Sequence, residues 1–309
     1  MSAAPAEHLP VMVGPVLRAL DPAADARIVD ATLGLGGHAE ALLRELGPDG
    51  RVIGIDRDAE MLARASERLR PFGERFRGVQ ARLSYMSDVV RGQGLDTVDG
   101  ILMDLGVCSA HLDEPERGFS FREDAAQAPL DMRMDRGRGE TAAEWLATAD
   151  EDELTDALRA GDVPAPRRVA RALRERQPLR TVGDLLAALA EVPLPRRRHH
   201  PATLVFQALR MAVNDERSEL ETALDASLEL LAPRGRLAVL SYHSGEDRTT
   251  KEFLNREAKG CVCPPELPYC GCGRSPRMRV VVRGQRPSQE EIDANPRARS
   301  ARLRAGERI

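Results

Sequence analysis

No apolar run in this 309-residue chain approaches the roughly 20 residues that a membrane span requires. The longest, such as "RLAVLSY" at 236–242, stop far short. Nor does the N-terminus show a basic segment followed by an apolar one, so no secretory signal is expected and the cytosol is the expected compartment. Cysteine is scarce as well: there are five, four of them crowded into 261–272, which does not suit a disulfide framework in a reducing compartment. Aromatics make up 3% of the chain, so each must be weighed as a core anchor before it is offered to a ligand. No internal repeat is evident.

What remains is the composition of a soluble globular protein, 42% hydrophobic and 30% charged, long enough for one large core or two domains. The net charge of -4 hides local asymmetry. Nine arginines lie between 166 and 200, Arg196, Arg197 and Arg198 among them, against three acids, and the tail from 274 is arginine-rich. Such stretches either follow a phosphate backbone or form solvated helix faces.

Short β-branched or apolar runs at 27–33, 51–56, 76–81 and 98–105 read as strands. Between them "HAEALLREL" and "AEMLARASERL" show the three-and-four spacing of helices. This βαβαβ series predicts an α/β, Rossmann-like parallel sheet covered by helices on both faces. The pattern breaks after 107, is helical over 141–190, and returns to strands at "RLAVLSYH" and "MRVVVRGQ" after a long helical stretch over 202–231. The expected division is a first part over 1–109, a mostly helical insertion over 110–203, and a second part over 204–309.

"DATLGLGGH" offers Gly34, Gly36 and Gly37, a turn that lets a ligand approach the backbone closely, although the spacing is not that of the dinucleotide fingerprint. Asp56, 20 residues beyond Gly36, suits the hydroxyls of an adenosine ribose. Nicotinamide enzymes and S-adenosylmethionine-dependent methyltransferases share that feature. The carboxylates separate them. Asp30, Asp56 and Asp104 all fall at or near the carboxyl ends of predicted strands, where they would repel a pyrophosphate and attract a sulfonium and an ammonium. The alternative is that Asp30 and Asp104 cap the turns that follow them.

The ordered series "GLGGH", "GIDRD", "MDLGVCSAHLD", "ERGFSF", "PLDMRMD", "HPATLVFQALRMAVNDE", "SYHSGEDR" and "NPRARSARLR" closely resembles one family. These are the bacterial methyltransferases that modify the exocyclic amino (N4) nitrogen of a cytidine in the decoding region of 16S ribosomal RNA. The resemblance runs from "EHLPVMVGPVL" to "ARLRAGER". It implies a cofactor site for S-adenosylmethionine made of Gly36, Gly37, His38, Asp56 and Asp104. It adds Leu83, where an aromatic residue is usual, and His111, where a glutamine is usual. Cys108 and Ser109 stand where the family usually has two serines, Gly245 interrupts the usual "HSLEDR", and "AGDVPAPRR" replaces a "YGEE"-like stretch.

Methylating an exocyclic amine requires an acceptor that draws the nitrogen lone pair out of conjugation and stabilises developing positive charge. Asp104 is the first candidate, with Ser109, Ser241, His243 and Ser244 as possible walls of a cytosine pocket; His243 is equally explained as a turn histidine bonded to backbone. "DLGV" stands where amino-methyltransferases of DNA carry a D/N/S-P-P-Y/F tetrapeptide, so that carbonyl geometry is not implied. Phe119 and Phe121 either stack on a splayed base or anchor the core. "NPRARSARLR" reads as a basic arm for RNA or a solubilising tail.

"CVCPPELPYCGC" sets Cys261, Cys263, Cys270 and Cys272 as C-x-C-x(6)-C-x-C. Four thiolates can close a structural zinc site, although the C-x-C spacing is shorter than usual. The transfer itself requires no metal. The expected partner is 16S ribosomal RNA, as suggested by the resemblance within an assembled small subunit, with no membrane and no obligate protein partner inferred. Alternatives are a methyltransferase for another RNA base or a DNA amino group, a nicotinamide-dependent oxidoreductase, and a non-catalytic RNA-binding module; the last would have no need of Gly36, Gly37, Asp56 and Asp104 together.

Overall fold

In the computed structural model, which describes residues 10–193, 201–259, 261, 263, 264, 269 and 271–309, the predicted βαβαβ series is present. After α1 (Val13–Leu20) come β1 (Arg27–Asp30), α2 (Gly37–Glu45), β2 (Arg51–Asp56), α3 (Ala59–Leu69), β3 (Phe76–Gln80), α4 (Met86–Gly92) and β4 (Val98–Asp104). The chain then forms a separate compact unit, Val107–Arg217, and returns to the first unit from Ser218 onward.

The second unit holds α5 (Ser109–Asp113), α6 (Ala142–Thr148), α7 (Glu151–Ala160), α8 (Pro166–Glu175), α9 (Val182–Ala190) and α10 (Pro201–Val213). Its core is aliphatic, built on residues such as Leu146, Leu158, Leu173, Leu185 and Leu209. Capping boxes at Thr141/Glu144, Asp150/Glu153 and Thr181/Asp184 fix where three of these helices start. The expected boundary at 203 moves to 217, because Ala202, Val205, Phe206 and Leu209 of α10 are buried in this core. The helical stretch expected as one piece over 202–231 is two helices. Asn214 accepts from Met134 N (2.9 Å) and donates to Met132 O (2.7 Å), and Asp215 takes φ +52°, which ends α10 before α11 (Glu216–Leu230) begins.

The oddest sequence motifs turn out to brace this unit. Arg117 of "ERGFSF" is buried and donates to Met134 O at 2.9 Å, while Gly118 takes φ +73° where a Cβ would lie 2.6 Å from Pro129 O. In "PLDMRMD", Arg133 makes a two-pronged pair with Asp131 at 2.7 and 3.1 Å. Phe119 stacks on His111 with centroids 5.2 Å apart, and Phe121 tilts against Phe206 at 5.1 Å, so both phenylalanines anchor the interior of this unit.

The first unit is completed by β5 (Leu231–Ser241), α12 (Ser244–Lys259), β6 (Met278–Gln285), α13 (Gln289–Ala294) and β7 (Arg302–Arg308). The sheet order is β3-β2-β1-β4-β5-β7-β6; β1 to β5 are parallel, and β7 runs antiparallel between β5 and β6. Period-two alternation divides the core into two faces. Ile28, Val52, Leu102, Leu240 and Leu303 pack on one side, and Val29, Ile53, Ile101, Met103 and Val239 on the other. Among the described residues no helix is long and apolar enough to cross a membrane.

The basic tail is therefore neither an arm nor a solubilising terminus. Residues 302–308 form an interior strand: Leu303 and Ala305 are fully buried, and Arg304 turns into a bidentate pair with Asp247 of α12 at 2.7 and 3.1 Å. Deleting residues 302–309 would leave β5 and β6 with unpaired edges and expose Asp247 without its partner. We expect the truncated chain to lose cooperative thermal unfolding followed by circular dichroism; a melt like that of the full chain would show that β7 is dispensable.

Candidate active site

Three neighbouring parallel strands deliver acids to one edge. Asp30 ends β1, Asp56 ends β2 and Asp104 ends β4, with β1 paired to both of the others. The glycine turn folds over this edge because Asp56 holds it: its Oδ2 accepts from Gly34 N at 2.7 Å and its Oδ1 from Asp58 N at 2.8 Å. Asp58 then caps α3 by accepting from Glu60 N and Met61 N. Gly36 takes φ +78°, and a Cβ there would crowd Leu69 Cδ1 at 3.1 Å and Ala65 at 3.2 Å. Glycine is needed here for both conformation and space. Gly37 opens α2 with Pro10 packed close against it, and His38 follows in the first turn.

Asp104 is the best-held group of the edge. Its backbone N–H donates to Thr32 Oγ1 (2.6 Å), the Tyr242 hydroxyl donates to its Oδ1 (2.7 Å), and His38 Nε2 lies 3.3 Å from its Oδ2. Burial, the Asp104 charge and the hydrogen bond itself hold the Tyr242 phenol well above its ordinary value, so it stays a donor. For His38, burial acts to lower the pKa, but contact with Asp104 and the charges of Asp104 and Asp30 prevail and raise it. Burial pushes the Asp30 carboxyl up to about 7; the His38 charge opposes this, and the Asp104 and Asp56 charges add to it. Asp30 Oδ1 accepts a long bond from Thr32 N at 3.4 Å, and buried Oδ2 has no hydrogen-bond partner among the described residues.

Other expected residues are placed as follows. Leu83 opens a short 3₁₀ turn after β3 and packs, half-buried, against the β4 face of the core. His243 accepts from Gly245 N on Nδ1 (3.2 Å), and its Nε2 lies 3.1 Å from Glu246 Oε1 without a hydrogen bond to any described residue. Ser241 donates to Arg302 O at 3.3 Å. Ser109, buried at the start of α5, and His111, stacked on Phe119, belong to the second unit. Arg196, Arg197, Arg198 and Cys270 lie outside the described residues.

Sequence reasoning passed over Tyr242 and Thr32. Tyr242 is one of three tyrosines and directly follows the strand registered beside β4, with Leu240 opposite Asp104, a signal available once the two strands are set side by side. Next to it opens a cleft of about 450 Å³ lined by Tyr242, His243 and Ser244, with Arg248, Lys251 and Arg302 on its walls.

The buried acid makes a sign-defined prediction. With the Asp30 carboxyl at about 7 in the folded chain against an ordinary 3.8, the folded state holds a proton that the unfolded state releases, so its contribution falls as pH rises from about 4 to 7. The gap of roughly three units corresponds to roughly 4 kcal/mol at most. The raised His38 acts in the same sense, its ion pair being lost as pH climbs through its folded value. Asp30→Asn keeps the shape and removes the carboxyl proton; its thermal midpoint should gain on that of the unaltered chain between pH 5 and pH 8. Parallel curves would show that no proton is stored at Asp30.

A sequence profile described as the MraW methylase family matches residues 5–309. Among similar curated proteins, the ribosomal RNA small subunit methyltransferase H of Trichlorobacter lovleyi is 44% identical over 311 residues, covering 98% of each chain. The protein of the same name from Rubrobacter xylanophilus is 48% identical over 308 residues, covering 97% of this chain and 96% of its own. A solved rRNA methylase structure from Streptococcus thermophilus aligns over 96% of this chain and 93% of its own at 12% identity, with a TM-score of 0.43. With a profile match from residue 5 to the last residue and near full-length relatives at this identity, the chain belongs to the MraW methylase family.

Proposed function

We propose that this chain transfers the methyl group of S-adenosylmethionine to the exocyclic N4 nitrogen of a cytidine in the decoding region of 16S ribosomal RNA. The observation that carries the reading is Asp104: a carboxylate at the sheet edge, hydrogen-bonded on one oxygen by Tyr242 and with His38 Nε2 3.3 Å from the other. Family membership and relatives named as small-subunit methyltransferases support the substrate.

S-adenosylmethionine, when bound, supplies a methyl group on a positively charged sulfur. The residues present fit such a ligand. Asp30 keeps a buried Oδ2 without a hydrogen-bond partner among the described residues, Gly36 leaves backbone exposed where a Cβ would crowd its neighbours, and the carboxylates of Asp56 and Asp104, joined by Asp30 when a cation draws off its proton, suit a sulfonium and an ammonium. Asp56, at the end of β2, would hold the ribose. Leu83 offers an apolar wall to the adenine in place of a ring, forgoing ring-to-ring contact of about 0.5–1.5 kcal/mol.

The remaining work is positioning and charge. Asp104 accepts an N–H of the target amine, which turns the nitrogen lone pair out of the ring and opposes the positive charge developing on nitrogen. Tyr242 and His38 keep that carboxylate from rotating away. His243, whose Nδ1 accepts from Gly245 N, stands at the start of α12, where Glu246 accepts from Tyr242 N at 2.8 Å; it serves the site by fixing this turn. Ser109 and His111 rest on the resemblance, and the roles given to them stay with it. Arg248, Lys251 and Arg302 beside the cleft suit RNA phosphates. A chain of net charge -4 gains little from charge alone, so the substrate is the assembled small subunit, whose shaped RNA surface supplies specificity, and the reaction takes place in the cytoplasm.

The deciding assay offers labelled S-adenosylmethionine and small subunits lacking the modification, followed by nuclease digestion and mass analysis. N4-methylcytidine is the expected product; label on another nucleoside, or on DNA alone, would replace this reading. In the same assay Asp104→Asn should lower kcat by about 10²–10⁴-fold. Tyr242→Phe, which removes one hydrogen bond to a charged group, should lower it by about 10-fold. Near-normal turnover of Asp104→Asn would remove Asp104 from the chemistry.

A further inference from the structure

We infer that the loop between α12 and β6 is a thiolate site for a soft divalent cation, zinc by its chemistry, with Cys261, Cys263 and Cys272 as ligands. The Sγ atoms of all three lie within 4.8 Å of one another, and those of Cys261 and Cys272 are 3.9 Å apart. Thiolates arranged tetrahedrally at the usual zinc–sulfur bond length stand about 3.8 Å from each other. A disulfide would instead bring two sulfurs to about 2.05 Å. The observed separation is too long for that bond and suits ligands sharing one ion.

The fold brings the cysteines together from the base of the loop. Buried Glu257, in the last turn of α12, accepts from Arg256 at 2.7 Å and from Arg277 at 2.7 Å, and Arg277 N donates to Glu257 O at 2.9 Å. Residues 257 and 277 are thereby clamped, so 261 and 272 start close in space. The two cysteines of a C-x-C pair fall on the same side of an extended chain but about 6.6 Å apart, so the chain must turn for their sulfurs to share one ion. Gly271 within the second pair and Gly273 after it, at φ +63°, supply flexible and left-handed backbone for that turn. The described residues of 260–277 form no helix or strand, and a bound ion would tie their turns together. Cys270 completes the C-x-C-x(6)-C-x-C pattern in the sequence but lies outside the described residues. Sulfur-only donors select zinc over magnesium or calcium, and on binding the thiols release their protons to solvent. This inference is independent of the methyl-transfer reading.

The test uses the full-length protein purified under reducing conditions without chelator. Elemental analysis should find close to one zinc per chain, and replacing it with cobalt should produce the thiolate-to-cobalt charge-transfer band and the d–d bands of a tetrahedral site. The doubly substituted Cys261→Ser, Cys272→Ser chain should retain less than about a tenth of the metal. Because that variant can lose metal by misfolding, a second measurement uses the unaltered chain: chelator treatment should raise protease cleavage within 260–277 several-fold and leave the rest of the chain resistant. Metal-free protein that shows no cobalt bands after reconstitution would overturn the site. So would a Cys261–Cys272 disulfide persisting in reductant, or bound iron in place of zinc.

Discussion

Three carboxylates brought to neighbouring strand ends form the constraint on which the site depends. Like charges at such range in a partly desolvated edge cannot all be ionised without cost, and the chain resolves this unequally. Asp56 accepts on each oxygen from a backbone N–H, that of Gly34 in the glycine turn and that of Asp58 at the cap of α3. Asp104 is fixed by a phenol and an imidazole. Asp30, the most deeply buried, meets the cost by holding its proton up to about pH 7. A cation entering this edge relieves all three at once, which is why the same acids that destabilise the empty crevice favour a positively charged ligand. Stability and cofactor affinity are thus set against each other at a single point of the sheet.

Strands whose burial is local were legible in the sequence. Ile28-Val29, Val52-Ile53 and Ile101-Leu102-Met103 are continuous apolar runs because parallel strands are covered on both faces. β7 was misread because its charge outweighed its alternation: Leu303 and Ala305 sit between Arg302, Arg304 and Glu307, and counting arginines conceals a period of two. Only pairing shows that Arg304 meets Asp247 and that Glu307 meets Arg236 and Arg279. These are long-range partners, 57 residues apart in the first case, and no local pattern announces them.

The site divides along the same line. Asp30, Gly36, Asp56 and Asp104 were readable because each sits at a strand end or turn that periodicity locates. Tyr242 was not, because its role exists only through the β4–β5 register. Motifs of unusual composition were a poor guide to chemistry. "ERGFSF" and "PLDMRMD" stand out by sequence, yet Arg117, Gly118, Asp131 and Arg133 spend their polar groups on turns of the second unit. Rare composition marks a tightly constrained backbone as readily as a reacting group.

Gly245 illustrates how a departure from the family pattern can be absorbed locally. A Cβ at this position would lie 3.2 Å from both Cε1 and Nδ1 of His243, closer than comfortable contact. The leucine usual in the family would therefore push the ring back by a few tenths of an ångström. With glycine the ring settles onto the Gly245 N–H, and Glu246 accepts from the backbone N–H of Tyr242. The substitution changes how α12 is capped and leaves the tyrosine that orients Asp104 where it is. Its effect should fall on the rigidity of this turn before it falls on any step of the transfer.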